Sequence, residues 1–198
     1  MAADNRRTMR ALLKQSGTTY PRIVNVSKSL RSRIDRTLRD TAYQAISDWD
    51  PGTSIVEAVN SYKTTLNTDG FLSVRFDAYY FPEMAAHGAT GVSSVTLSLN
   101  TGKVYRFEDL FRRGSNYQQL INQIVQEQII EQQIPMLTPY EGVGPDQEYY
   151  LTPDSLVIYY QPYVYTPGAY GVLEFTIPYT QISGIVCPVG PIGEIIAT

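Results

Sequence analysis

The 198-residue chain contains one cysteine, Cys187, and one histidine, His87. A lone cysteine excludes a disulfide within the chain. The shortage of both residue types excludes a zinc site built from several His and Cys, and a His-x-x-x-His metalloprotease motif. No run of 18 apolar residues occurs, so no segment reads as a membrane-spanning helix. The start, Met1-Ala2-Ala3-Asp4, lacks the apolar core of a signal peptide. Lysine and arginine are absent from residues 114–198, which carry eight Asp/Glu and a net charge of -8. Residues 1–50 hold ten Lys/Arg against five Asp/Glu, and residues 51–113 hold six of each. The overall charge of -3 excludes a strongly basic nucleic-acid binder. A cation-free stretch of 85 residues is a property of surface and partners, not of fold.

Apolar residues make up 43% of the chain and charged residues only 18%, which excludes disorder as the general state. A chain of this length buries about 70% of its unfolded surface and forms one domain, or at most two small ones. Tyrosine is plentiful, at 16 residues.

Two segments have helical periodicity. Leu30, Ile34, Leu38, Ala42 and Ile46 recur every four residues, with Arg31, Arg33, Arg36 and Arg39 on the outer face. Ser27 or Ser29 fits the N-cap, and Pro51-Gly52 closes the region. Further on, Ser115 and Gln118 have capping-box spacing, Leu120, Ile121, Ile124, Val125 and Ile129 form an apolar stripe, and Pro135 ends it. Period-two alternation predicts a strand over Leu72–Tyr80, and the β-rich run Ile55–Leu66 precedes it across Asn67-Thr68-Asp69-Gly70. A strand at Val95–Leu99 turns at Asn100-Thr101-Gly102 and returns through Val104 to Phe107. Tyr149–Thr152 and Leu156–Tyr160 pair across Pro153-Asp154, and Leu173–Ile177 is the last clear strand. Tyr20–Val26 is an early edge-strand candidate, because Pro21 is tolerated at an edge. The order predicts an α+β fold: antiparallel sheets built from hairpins, with two main helices packed on one face and room for two subdomains. The expected organisation is an N-terminal tail (1–17), an N-terminal α+β subdomain (18–113), a C-terminal helix-plus-sheet subdomain (114–182) and a C-terminal tail (183–198).

No catalytic constellation emerges. His87 lies in a stretch of small residues between two strands and lacks a diagnostic spacing to a nucleophile or an orienting acid. Glu108-Asp109 reads as the first turn of a short helix, where acids favour the macrodipole. Asp146-x-Glu148 is the other carboxylate pair. Gly88-x-x-Gly91 lacks the Lys-Ser/Thr of a phosphate loop. No cofactor or metal ligand set is expected. The candidate binding residues are Tyr159, Tyr163, Tyr165 and Tyr170, with His87 in addition. These rings, with Tyr160, fall within twelve residues punctuated by Pro162, Pro167, Gly168 and Gly171. Tyrosine couples a large apolar face to a polar tip at low entropy cost, which suits contact surfaces, although it is also a good strand residue.

Several motifs in order resemble a known family. They are Tyr79-Tyr80-Phe81 with His87-Gly88, Ser94 to Lys103, and Phe107-Glu108-Asp109-Leu110-Phe111 before an Ile/Gln-rich helix. Leu151 to Tyr160, Tyr163 with Pro167-Gly168-Ala169-Tyr170-Gly171, and Phe175-Thr176-Ile177-Pro178-Tyr179 continue the series. Together they resemble the extracytoplasmic domain of the anti-sigma-V factor family, which also stands at the N-terminus of some peptidoglycan deacetylases. The resemblance implies a non-catalytic bacterial sensing or binding domain, located extracytoplasmically as a secreted or membrane-anchored protein. The implied partner is a basic protein such as lysozyme, or cell-wall glycan, and not nucleic acid. The alternative is an accessory domain of a cell-wall-modifying enzyme, or such an enzyme itself.

Overall fold

The computed structural model describes residues 19–47, 55–68 and 70–197. The expected 1–17 tail, the Pro51-Gly52 stop and Asp69 of the Asp-Gly turn lie outside the described residues. The fold is α+β, with two three-stranded antiparallel sheets. Helix α1 spans Lys28–Ser47, β1 Ile55–Asn67, β2 Phe71–Pro82 and β3 Ala89–Ser98. Helix α2 spans Tyr117–Glu131, followed by β4 Tyr149–Leu151, β5 Ser155–Tyr160 and β6 Leu173–Pro178. Two short helices, α3 (Tyr179–Ile182) and α4 (Pro191–Ile196), end the chain. The strand orders are β1-β2-β3 and β4-β5-β6.

Helix α1 lies on one face of the first sheet. Its spacing of four places Ile34, Leu38 and Ala42 in one stripe, and these pack on Leu72, Val74 and Phe76. Burying each large side chain contributes roughly 1.5–3 kcal/mol. Ser27 caps the helix, with its hydroxyl accepting from the Leu30 N–H at 3.3 Å. The side chain of Ile46 is outside the described set. The close approach is fixed at Gly91, where a Cβ would stand 2.0 Å from the Ala45 carbonyl oxygen. Next to it, the Ser93 hydroxyl donates to the Thr41 carbonyl at 2.6 Å.

The second core gathers α2, the β4-β5-β6 sheet and the chain end, with Ile121, Val125, Leu151, Ile158, Phe175 and Ile177 fully buried. Phe107, Leu110 and Phe111 belong to this core as well, ahead of the expected boundary at 113/114. Phe107 meets Phe111 edge-on at 5.2 Å, and Phe111 stacks on Tyr117 at 4.4 Å. Residues 183–197 are not a tail. Val186 bridges Phe111, Cys187 N–H donates to the Leu110 carbonyl, and Ile192 is fully buried. Their apolar composition is core composition.

Three local expectations change. Tyr20–Val26 forms no strand: among the described residues no ladder pairs with it, and Asn25 turns into the left-handed region (φ 61) near its end. The return after Gly102 is a single Leu97–Val104 bridge, since Phe107 then dives into the second core. The Ser115–Gln118 capping box does not form. Asn116 occupies the N-cap, the Ser115 hydroxyl is buried without a partner among the described residues, and Gln118 donates to the Val143 carbonyl. Glu108 and Asp109 do sit in the first turn of a short 3-10 helix, where Asp109 accepts from the Arg106 N–H at 3.0 Å.

Candidate functional site

The second face of the first sheet is polar, and it packs against β4, β5 and β6. Alternation places Ser73 and Arg75 there from β2, and Ser94 and Thr96 from β3. Ser73 and Thr96 hydroxyls meet at 2.9 Å, and the Leu151 N–H donates to Ser73 at 3.0 Å. Ser94 donates its hydroxyl to the Tyr149 carbonyl and lies 2.9 Å from the Tyr159 hydroxyl. Arg75 is held by Asp77 on its own strand and by Glu174 on β6. Burial alone would lower its pKa, but the Asp77 hydrogen bond and the Glu174 and Asp77 charges outweigh that, so the guanidinium stays charged. Gln161 completes the seam by clasping both peptide groups of Val92: its amide oxygen accepts from the N–H at 3.0 Å and its amide nitrogen donates to the carbonyl at 2.7 Å. The same nitrogen reaches the Glu148 carboxylate.

Where this seam opens to solvent there is a cleft of about 570 Å³. Helix α1 supplies Asp40, Tyr43 and Gln44 to one wall, and Tyr149 and Tyr159 stand on the other. Arg106, Asp146 and Glu148 also line it. Arg106 is bound to Glu108 and lies 3.6 Å from Asp146, so the cleft's cation is already partnered. A smaller hollow of about 360 Å³ continues from the same Asp146–Glu148 segment to Gln161 and Val164.

The candidate residues fall into three environments. Tyr159 is buried; burial and the nearby Glu148 charge push its phenol well up, so it serves as a neutral hydrogen-bonding group at the cleft. Tyr165 is buried in a ring cluster, 4.9 Å from Tyr160 and 5.6 Å from Tyr140. Its hydroxyl accepts from the Glu141 N–H, which fastens the loop beside it. Tyr163 and Tyr170 are 65% and 44% exposed on the loop between β5 and β6, with Val164 also exposed. Tyr163 has φ 70, and its ring lies over Gly168, where a Cβ would sit 2.0 Å from it. A bulky residue in the left-handed region is strained, and such strain gathers at functional sites. His87 stands apart, exposed in the β2–β3 loop with Nδ1 3.0 Å from the Gly88 carbonyl oxygen.

The geometry suits binding. The Ser94 hydroxyl meets a carbonyl and a phenol, not an imidazole, and His87 is placed elsewhere. Among the described residues no group of three or more His, Cys, Asp or Glu could hold a metal ion, and no helix is long and apolar enough to cross a membrane. The sequence points to Asp146 and Glu148 as a carboxylate pair and to Ser94 only within a motif, and it gives no signal for Arg75 or Gln161 at this place. Ser94, Arg75 and Gln161 reach across the seam through contacts 55 to 99 residues apart, which no local spacing encodes.

Comparison with known proteins agrees with the motif series. Residues 108–180 match a family described as a protein of unknown function, DUF3298. The motifs Leu151–Tyr160 and Phe175–Tyr179 fall inside that match. The chain is also similar to the anti-sigma-V factor RsiV of Bacillus subtilis, with 30% identity over 138 residues, 64% of this chain and 47% of the relative. The chain therefore resembles the anti-sigma-V factor, and it spans about half of that relative's length. Two crystal structures of DUF3298 family proteins share the fold. The one from Pseudomonas aeruginosa has a TM-score of 0.56 at 21% identity, covering 91% of this chain and 77% of its own. The one from Bacteroides fragilis has a TM-score of 0.55 at 17% identity, covering 86% and 69%.

Proposed function

We propose that this chain is a non-catalytic extracytoplasmic sensing domain that recognises a basic protein of the lysozyme type. The observation that carries the reading is the charge of the C-terminal half: eight acids and no Lys or Arg over residues 114–198. Glu127, Glu131, Glu141, Asp146, Asp154 and Glu194 are exposed, and Glu148 and Glu174 are half-buried in the seam. Such a surface raises the encounter rate with a cationic partner, and the exposed rings of Tyr163 and Tyr170 supply contact area that charge alone does not. The likeness to an anti-sigma factor supports a protein partner and a role in sensing, not turnover. It also supports an extracytoplasmic location. The two cores, one under α1 and one under α2, are proposed as the two subdomains of this binding unit.

The test is a calorimetric titration of a basic lysozyme into the purified chain at two salt concentrations, about 20 mM and about 200 mM. Binding is expected at both, and weaker at the higher, because the Debye length shortens from about 20 Å to about 7 Å. An absence of binding at both concentrations rejects lysozyme as the partner.

A further inference from the structure

We infer that the outer edge of β3 at Ser94–Thr96 is a docking edge, at which an extended, basic polypeptide segment adds as a short extra strand. β3 is an edge of its sheet. Its even-numbered residues turn their peptide groups away from β2. Val92 is clasped by Gln161, the Thr96 carbonyl accepts from the Tyr105 N–H, and the Ser98 N–H donates to the Lys103 carbonyl. By the same register, the N–H and C=O of Ser94 and the N–H of Thr96 point outward. Among the described residues these three groups have no partner. They are the gap between the Gln161 clasp and the Tyr105 bond.

That gap faces the cleft. Ser93, Ser94, Val95 and Thr96 all line it. Side chains of a strand alternate between faces, so four consecutive residues share one cavity only when the cavity runs along the strand's edge. The wall of α1 on one side and the Tyr149–Tyr159 wall on the other make a helix-and-strand groove. From Val92 to Thr96 is roughly 13 Å at 3.3 Å per residue, room for about three residues of extended chain. A whole sheet cannot enter such a recess, but a single segment can. The groove lining holds three acids, Asp40, Asp146 and Glu148, against one cation, Arg106; Asp146 is paired with Arg106 and Asp40 with Arg39, and the negative balance of the lining favours lysine or arginine side chains on the incoming segment. Main-chain bonds would then supply affinity and the acids specificity. This reading shares with the binding role proposed above only the sign of the partner's charge, which the groove's own acids also favour.

The test uses the whole chain labelled with nitrogen-15 and the acetylated, amidated peptide Thr-Val-Lys-Val-Lys-Thr. Addition of the peptide should shift the Ser94 and Thr96 amides and slow their hydrogen exchange by about tenfold or more. The same peptide N-methylated on its third and fourth amides should bind at least about fivefold more weakly, since it cannot complete the ladder. Ser94→Pro removes the outward N–H and the hydroxyl without touching the backbone bonds to β2, and it should abolish binding; Ser94→Ala, which loses only the hydroxyl's bonds to Tyr149 and Tyr159, should weaken binding far less than Ser94→Pro does. If Ser94→Pro does not fold, the N-methylated peptide decides. No response of these two amides at about 5 mM peptide, or equal binding of the N-methylated form, overturns the proposal. Peptide protection of the edge without lysozyme binding would leave the docking edge standing and remove lysozyme. Lysozyme binding with unchanged exchange at Ser94 and Thr96, and no peptide binding, would do the reverse.

Discussion

Arg75 on β2 and Glu174 on β6 form an ion pair that joins the two sheets across the seam. Arg75 is 17% exposed at its side chain and also bonds Asp77, while Glu174 accepts from the Tyr150 hydroxyl at 3.2 Å. Arg75→Met leaves two carboxylates without their cation in a half-buried place. The expected loss is about 2–3 kcal/mol in urea unfolding. A double-mutant cycle with Glu174→Gln should return a coupling of at least about 1 kcal/mol. Additive effects would mean that the two sheets are held by other contacts.

Two glycines make a contrasting pair. At Gly91 an added methyl would meet the backbone oxygen of Ala45, which cannot move without displacing α1. Gly91→Ala should cost about 2 kcal/mol or more. At Gly88 the same methyl would meet the far end of the Tyr79 ring, an exposed side chain that can swing aside. Gly88→Ala should cost less than about 1 kcal/mol. Thermal midpoints of the two variants decide the point, and equal losses would contradict it.

The buried tyrosines set an alkaline limit. Burial pushes the Tyr140 phenol up to about 12, and Tyr149, Tyr159, Tyr160 and Tyr179 are also raised, chiefly by burial. A group whose pKa is raised on folding contributes stability that is complete below its unfolded value, here 10.0, and is lost as pH climbs toward the folded value. Stability should therefore hold to about pH 9 and fall steadily above about pH 10. Phenolate absorbance followed against pH should show a fraction of the tyrosines ionising only as the chain unfolds. A single smooth titration near the ordinary tyrosine value, with the fold intact, would contradict the burial.

Tyr163 and Tyr170 should matter for binding and little for folding. Replacing both with Ala removes two exposed rings and relieves the left-handed backbone of Tyr163 only slightly, so stability should change by less than about 1 kcal/mol. Affinity for a basic lysozyme should drop at least about tenfold if these rings anchor the partner. Unchanged affinity would place the contact elsewhere on the anionic half.

The fold was largely legible because its signals are local. Spacing of four exposed α1, alternation exposed β2, and Pro153-Asp154 marked the turn between β4 and β5. The same alternation could not say that Ser73 would be buried, because its cover comes from Leu151, 78 residues away. Tyrosine clustering marked the loop between β5 and β6, but ring count does not separate an anchor of the core from an exposed contact. Tyr159 and Tyr165 went inside, while Tyr163 and Tyr170 stayed out. The apolar chain end read as a tail because its periodicity is too short to register, and its partners Leu110 and Phe111 lie far upstream.

Val92 and Ser93 are consecutive, yet one is clasped by Gln161 at the root of the aromatic loop and the other is tied to Thr41 of α1. A single peptide step thus separates the attachment of the loop from the attachment of the helix. The aromatic loop and α1 therefore share adjacent anchor points on one edge strand, so a displacement of β3 at this step would be felt by both.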